Sequence, residues 1–138
     1  MNTEKQLQLV TFEQGERLRA LGFDWGTSAY WWHNPIDREW CFRETPNLLT
    51  KNNPKFDNEI AAPAVALALE WVREEKGLHG MVDCNASGWF WIICKVNGTF
   101  IKDWGDEGDD ENSGCFTTHK AAQLVLLTEI LILLEKEK

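Results

Sequence analysis

The chain has 138 residues, a length that suits one domain with a hydrophobic core of its own. Its composition, 43% hydrophobic and 26% charged, excludes a disordered chain, a collagen-like repeat and a disulfide miniprotein. The 22 acidic residues against 14 basic ones leave a net charge of −8, which argues against a nucleic-acid partner held through its phosphates.

A capping-box pattern begins the first predicted helix, over about residues 12 to 21. Thr11 is followed three residues later by Gln14, the spacing at which two side chains cap each other's backbone amides. Gly22 then stands where a left-handed residue commonly ends a helix. The first element is therefore expected to be a short capped helix.

Two aromatic runs on either side of Asn34 and Pro35 predict a β-hairpin. Side chains of a strand alternate between two faces, so Trp31 and Trp32 cannot both face the same core. At least one of them is expected on an outer face or at an interface, and Trp31 is taken as a candidate binding residue.

A loop and a second helix follow the hairpin. Residues 44 to 59 contain two prolines, four asparagines and no apolar periodicity, which predicts a long flexible surface loop. Pro63 suits the first turn of a helix, and the apolar residues after it recur at helical spacing. Gly77 is placed to end this helix in the left-handed conformation.

Three strands are predicted next, over residues 80–85, 89–96 and 99–104. Asn97 and Gly98 between the last two indicate a two-residue type I′ turn, because both residues tolerate a positive φ. That turn would place Val96 opposite Thr99, Cys94 opposite Ile101 and Trp91 opposite Trp104.

This register sorts the three strands into two faces. The first face, expected to lie beneath helices, contains Val82, Cys84, Phe90, Ile92, Cys94, Val96 and Ile101. The second mixes aromatic and charged residues and is expected to be open to solvent. Its members are Met81, Asp83, Trp89, Trp91, Ile93, Lys95, Phe100, Lys102 and Trp104. The candidate binding face therefore comprises Asp83, Trp89, Trp91 and Trp104, together with Trp31 of the hairpin.

The C-terminal part contains an acidic loop and a last helix. Residues 105–114 carry five carboxylates without the spacing of an EF-hand, so a solvated flexible loop is favoured over a cation site. The helix should begin near Thr117 or Thr118 and is apolar on most sides, which requires more than one covering neighbour. Leu126, Ile130 and Leu133 are candidates for a dimer contact on this helix.

The predicted element order is α-β-β-α-β-β-β-α, which belongs to the α+β class. We expect a single domain, residues 1–138, in which three helices pack on a mostly antiparallel five-stranded sheet.

The helix ends and the hairpin together resemble a known group of proteins. The residues that carry the resemblance are Thr11–Gln14, Leu21–Asp24, Tyr30–Trp32, Ala66–His79 and Thr117–Ala122. They are similar to small α+β proteins of phages and Bacteroides-type bacteria, for which no activity is established, over about residues 11 to 135. The resemblance implies an origin in a phage, prophage or related genome. It implies no catalytic residue.

Motifs for chemistry, cofactors and membranes are not evident. No phosphate-binding glycine loop and no zinc spacing of cysteine or histidine occurs, so we expect no cofactor and no metal. The first ten residues lack a basic and an apolar signal region, and the apolar stretch 121–134 is too short to span a bilayer. A cytoplasmic location without membrane contact is expected. The four cysteines are expected to be free thiols, mostly buried.

Two functions from different classes remain open. The first is a non-enzymatic protein that binds another protein or itself, through the aromatic sheet face and the last helix. The alternative is a small hydrolase or carbohydrate-binding protein that uses Asp83 and the tryptophans of the same face.

Overall fold

The chain folds into two compact units with separate sheets, rather than around the single five-stranded sheet that the sequence predicts. A computed structural model describes residues 8–49, 58–103 and 116–137. Unit 1 is Met1–Leu67 and unit 2 is Ala68–Lys138. Each unit contains a three-stranded antiparallel sheet, and three α-helices complete an α+β fold. The predicted five-stranded sheet is wrong.

Unit 1 begins with the capped helix that the sequence predicts. Helix α1 spans Phe12–Ala20. Gln14 N donates to Thr11 Oγ1 over 3.1 Å, and Thr11 N donates to Gln14 Oε1 over 3.0 Å, which confirms the capping box. Gly22 has a φ of 98° just beyond the helix, also as predicted.

The sheet of unit 1, called sheet 1, contains β1 (Thr27–His33), β2 (Trp40–Leu49) and β3 (Glu59–Ala61), in the order β2-β1-β3. The predicted hairpin of β1 and β2 is confirmed. The predicted loop over 44–59 is wrong over 44–49, because β2 continues to Leu49, and at Glu59, where β3 begins. Residues 50–57 of the predicted loop lie outside the described residues. Pro46 lies between Glu44 and Leu49 of the edge strand β2, where the pairing with β1 is irregular and no register partner is assigned to it, so its missing N–H is tolerated.

Helix α1 packs closely on sheet 1 at Gly15. A Cβ atom at Gly15 would lie 2.8 Å from Trp31 Cζ3 and 3.1 Å from the carbonyl oxygen of Ala61. This helix therefore lies on the face of sheet 1 that carries Trp31.

The second helix, α2, spans Val65–Trp71 and continues as a π-helical turn over Val72–Lys76. Gly77 ends it with a φ of 75°, as the sequence predicts. The boundary between the units falls inside α2, at Leu67 and Ala68.

The sheet of unit 2, called sheet 2, contains β4 (Leu78–Asn85), β5 (Gly88–Lys95) and β6 (Phe100–Asp103), in that order. The link between β4 and β5 contains two residues, Ala86 and Ser87, because Asn85 pairs with Gly88. The sequence-based prediction assumed a link of three residues between these two strands. A change of one residue in the pairing reverses every side chain of one strand relative to its neighbour.

The turn between β5 and β6 also differs from the prediction. Gly98 N donates to the Lys95 carbonyl over 2.8 Å, and Lys95 N donates to the Thr99 carbonyl over 2.8 Å. Gly98 has a φ of 95°, whereas Asn97 is not in the positive-φ region. The loop is therefore a three-residue turn with a left-handed glycine and a bulge, not a type I′ turn. Cys94 pairs with Phe100 instead of Ile101.

Helix α3 spans His119–Lys136 and packs on β4 and β5. Thr118 Oγ1 accepts from Ala121 N over 3.1 Å, which confirms the predicted start of the helix. Lys102 Nζ of β6 lies 2.7 Å from Glu129 Oε1 of α3 and ties the third strand to the helix. None of the described helices has the length and apolar content needed to cross a lipid bilayer.

Helix α3 covers the face of β5 for which we predicted exposure. Trp91 and Ile93 are 1% and 0% exposed, whereas Phe90 and Ile92 point to the opposite face and are only half-buried. The prediction for β5 is wrong because of the register at Ala86 and Ser87. The covered side of sheet 2 is called the inner face, and the side that carries Met81, Asp83, Phe90 and Ile92 is called the outer face.

The predicted dimer contact on α3 is also wrong in part. Leu126 and Ile130 are both 0% exposed, and their side chains lie against Gly80 of β4. Leu133 is half-buried. The first two are core residues of unit 2, so they cannot form a surface for a second copy.

Gly88 and Gly98 provide a matched stability test, because both have a positive φ but differ in their surroundings. A Cβ at Gly88 would lie 2.7 Å from the Phe116 carbonyl oxygen, whereas nothing lies within 4 Å at Gly98. We expect Gly98→Ala to cost about 1–2 kcal/mol of backbone strain. Gly88→Ala should cost roughly 2 kcal/mol more, because the two hydrogen bonds between Trp89 and Phe116 would also be disturbed. Urea unfolding measures both, and equal losses would contradict this account.

Candidate functional site

The structure does not bring the predicted site residues together. Asp83 lies on the outer face of sheet 2, opposite Phe90, whereas Trp89 and Trp91 lie on the inner face. The Asp83 carboxylate accepts a hydrogen bond from Cys84 N over 2.8 Å. Trp104 lies outside the described residues, as does the predicted acidic loop 105–114. The combination of one carboxylate with several indoles is therefore not formed.

The two tryptophans of β5 serve the fold of unit 2. Trp91 is 1% exposed, and its Nε1–H has no acceptor in the described part of the chain. Trp89 is half-buried and meets the ring of His119 edge-on, with the centroids 5.2 Å apart. Its backbone N–H and carbonyl both hydrogen-bond to Phe116, at 2.9 and 2.8 Å. Trp89 thus links β5 to the segment before α3.

Trp31, in contrast, belongs to a partly exposed group of rings in unit 1. The aromatic cluster consists of Phe12 from α1, Trp31 from β1, and Trp40 and Phe42 from β2. The Trp31 ring lies 5.2 Å from Phe12 and 6.1 Å from Phe42, edge-to-face in both cases. Phe12 and Trp40 lie 5.3 Å apart. Phe42 is 46% exposed, so the cluster presents an aromatic surface to solvent.

A cavity of about 400 Å³ lies in unit 1 on the same face of sheet 1. Ala29 and Glu44 line it, and each is two residues from a ring of the aromatic cluster along its strand. Side chains two apart share a face of the sheet, so the cavity and the aromatic cluster are neighbours on one surface.

Among the described residues, four segments that are distant in sequence line the cavity, around Leu9, Ala29, Glu44 and Pro63. Residues 8–10 run beside 63–65, with Val10 N donating to the Pro63 carbonyl at 3.0 Å and Val65 N to the Gln8 carbonyl at 2.8 Å. Leu9, Pro63 and Leu67 supply apolar walls. Small residues just before β1 and at its start, among them Gly26 and Ala29, leave the space open.

The described residues that line the cavity include one charged side chain. Among the described residues that line it, Glu44 alone is ionisable, and Glu44 is exposed. The neighbouring Arg43 lies on the opposite face, where its guanidinium stacks 4.2 Å from the centroid of Trp32. A carboxylate beside apolar walls suits a cation with an aliphatic stem.

No metal centre is found in the described ranges, where no group of three or more His, Cys, Asp or Glu is placed to hold an ion. Cys41, Cys84 and Cys94 are free. Cys84 is exposed rather than buried as expected, because it lies near the end of β4.

Comparisons with known proteins add no identification. No family model matches the chain, and no curated protein or solved structure shows significant similarity to it.

Sequence reasoning missed Glu44 and Phe42 as site residues. Residues from 44 onwards were expected to form a loop, although the alternation of Trp40, Phe42 and Glu44 fits one face of a strand. That alternation is the signal that would have indicated a shared surface with Trp31. The cavity itself has no such local signal, since its walls meet only in the folded unit.

Phe42 and Trp31 should differ in their importance for stability. Phe42→Ala is expected to cost about 1 kcal/mol or less, because nearly half of its ring is already in water. Trp31→Ala should cost roughly 2–4 kcal/mol, because Trp31 fills the space between α1 and sheet 1 beside Gly15. Chemical denaturation of both variants tests the difference. A large loss for Phe42→Ala would show that its exposed ring serves the fold.

Proposed function

We propose that this protein is a non-catalytic binding protein that recognises a basic segment of a partner protein through unit 1. In this proposal, a lysine or arginine side chain of the partner enters the cavity beside Glu44. The observation that carries it is the cavity of about 400 Å³, whose described lining residues provide apolar walls and one carboxylate. This volume is within the range of binding pockets, roughly 300–1,000 Å³.

The two parts of such a side chain match two parts of the cavity. The methylene groups of lysine or arginine would contact Leu9, Pro63 and Leu67, and the cationic end would meet the Glu44 carboxylate. The described part of unit 1 carries seven carboxylates against four guanidiniums, which favours a cationic segment over an anionic one.

The aromatic cluster supplies a second contact beside the cavity. Phe42 is half-exposed, and it is held by an edge-to-face contact with Trp31. Aromatic residues of this kind contribute much of the binding energy at protein interfaces because they bury a large area with little loss of side-chain entropy. An apolar residue next to the partner's cation would complete the contact.

The alternative of a hydrolase or carbohydrate-binding protein has less support. It relies on Asp83 beside indole rings, and Trp89 and Trp91 lie on the other face of the sheet. The cytoplasmic location and the phage-related origin expected from the sequence belong to our proposal as well.

Small amines test the chemistry of the cavity directly. We expect Nα-acetyl-lysine amide and Nα-acetyl-arginine amide to shift the NMR signals of the Ala62 and Ala64 methyl groups, which line the cavity. Nα-acetyl-norleucine amide, which keeps the stem without the charge, should shift them much less. Single side chains bind weakly, with a dissociation constant on the order of millimolar, so titration to tens of millimolar is needed.

Glu44→Gln should abolish the response to the cationic amides while leaving the spectrum of unit 1 otherwise unchanged. Glu16→Gln is the matched control, because Glu16 is an exposed carboxylate of α1 that does not line the cavity. The proposal fails if the cationic and uncharged amides act alike, or if the two glutamine variants respond equally.

A further inference from the structure

The hydrogen-bond pattern of β5 shows which backbone N–H and carbonyl groups of β4 point away from sheet 2. Trp89 directs its N–H and carbonyl to Phe116, on the side of β5 away from β4. In an antiparallel pair, the direction of the backbone N–H and carbonyl groups alternates from one residue to the next. The backbone groups of Phe90 and Ile92 therefore point to β4, where they hydrogen-bond to those of Asp83 and Met81. The N–H and carbonyl groups of Gly80, Val82 and Cys84 therefore point outward from the edge.

Among the hydrogen bonds of the described residues, one occupies an outward group of this edge, near the C-terminal end of β4. Asp83 Oδ1 accepts from Cys84 N over 2.8 Å and occupies that outward donor. Within the described ranges, no hydrogen bond reaches the outward groups of Gly80 or Val82. Met81 is 42% exposed, and Asp83, Cys84 and Asn85 are exposed as well. An open strand edge of this kind is a template for another strand.

We propose that the occupant of this edge is a second copy of the same chain, with the two β4 strands antiparallel about a two-fold axis at Met81. Gly80 of each copy then pairs with Val82 of the other copy, which gives two symmetry-related pairs. Each pair exchanges two N–H···O bonds, so the centre of the interface contains four. The inference is independent of the cavity in unit 1.

The side chains of β4 favour this self-pairing. In the register centred on Met81, the outer-face residue His79 lies opposite Asp83 of the second copy, where an imidazole N–H can donate to the carboxylate. The two Met81 side chains meet at the axis, where both are otherwise exposed to water. A register shifted by two residues would place Met81 opposite Asp83. Neither the contact between His79 and Asp83 nor the contact between the two Met81 side chains would then form. A strand of another protein and a monomer are the alternative outcomes.

Disulfide trapping tests the register. Residues at the axis form a non-hydrogen-bonded pair with Cα atoms about 4.5 Å apart, within the range of a disulfide. In a Cys84→Ser background, Met81→Cys should therefore give a covalent dimer under mild oxidation. Neither His79→Cys nor Asp83→Cys alone should do so, but a mixture of the two should. Val96→Cys, 61% exposed at a turn, is the control.

Light scattering tests the interface without added cysteines. Val82→Pro should weaken the dimer roughly tenfold or more, because it removes two of the four central bonds. The fold should persist, since the Val82 N–H is not part of the β4–β5 ladder. Met81→Lys, which places two ammonium groups at the axis, is a second variant with the same expected effect and no backbone change.

Three results would overturn the proposal. One is a parent chain that stays monomeric up to its solubility limit. Another is cross-linking of Met81→Cys no greater than that of Val96→Cys. The third is a dimer that both Val82→Pro and Met81→Lys leave intact, which would place the interface elsewhere.

Discussion

The close approach of α3 to β4 at Gly80 determines which surfaces unit 2 presents. A Cβ at Gly80 would lie 2.8 Å from Ile130 Cδ1 and 2.9 Å from Leu126 Cδ1, so any larger residue would force the ends of these side chains to shift. The helix covers the inner face and buries Trp91. The outer face, on the side of sheet 2 away from α3, carries exposed apolar side chains, among them Met81 and Phe100.

Helix ends could be predicted because their signals are local. Thr11 with Gln14, Gly22, Gly77 and Thr118 each act within one helical turn, and each has the predicted role. The division into two sheets is not local. It depends on which strands pair, and a run of strands in the sequence contains no mark of where one sheet ends and the next begins.

The sequence did not allow us to predict which face of β5 is buried. Both of its faces are apolar, so either could lie beneath a helix, and the prediction sorted them from a two-residue turn at Asn97 and Gly98 that the structure does not form. A loop of two residues at Ala86 and Ser87, in place of three, moved Trp91 from the predicted surface into the core. The strongest clue was the neighbouring strand, where Gly80 offers a helix closer contact than any residue with a side chain. Of the candidate site, only Trp31 could be predicted.

The two proposals, which use different units, strengthen each other physically. A single cationic side chain beside one carboxylate binds weakly, because a partly exposed ion pair is screened by water and its ordering costs entropy. If β4 pairs as proposed, one particle carries two cavities with Glu44. A partner that presents two basic segments would then bind the second cavity in an intramolecular step, with a gain of about 10²–10⁴ when the spacing fits. The proposed weak sites and the proposed strand-paired dimer would therefore be consistent with each other in one binding protein.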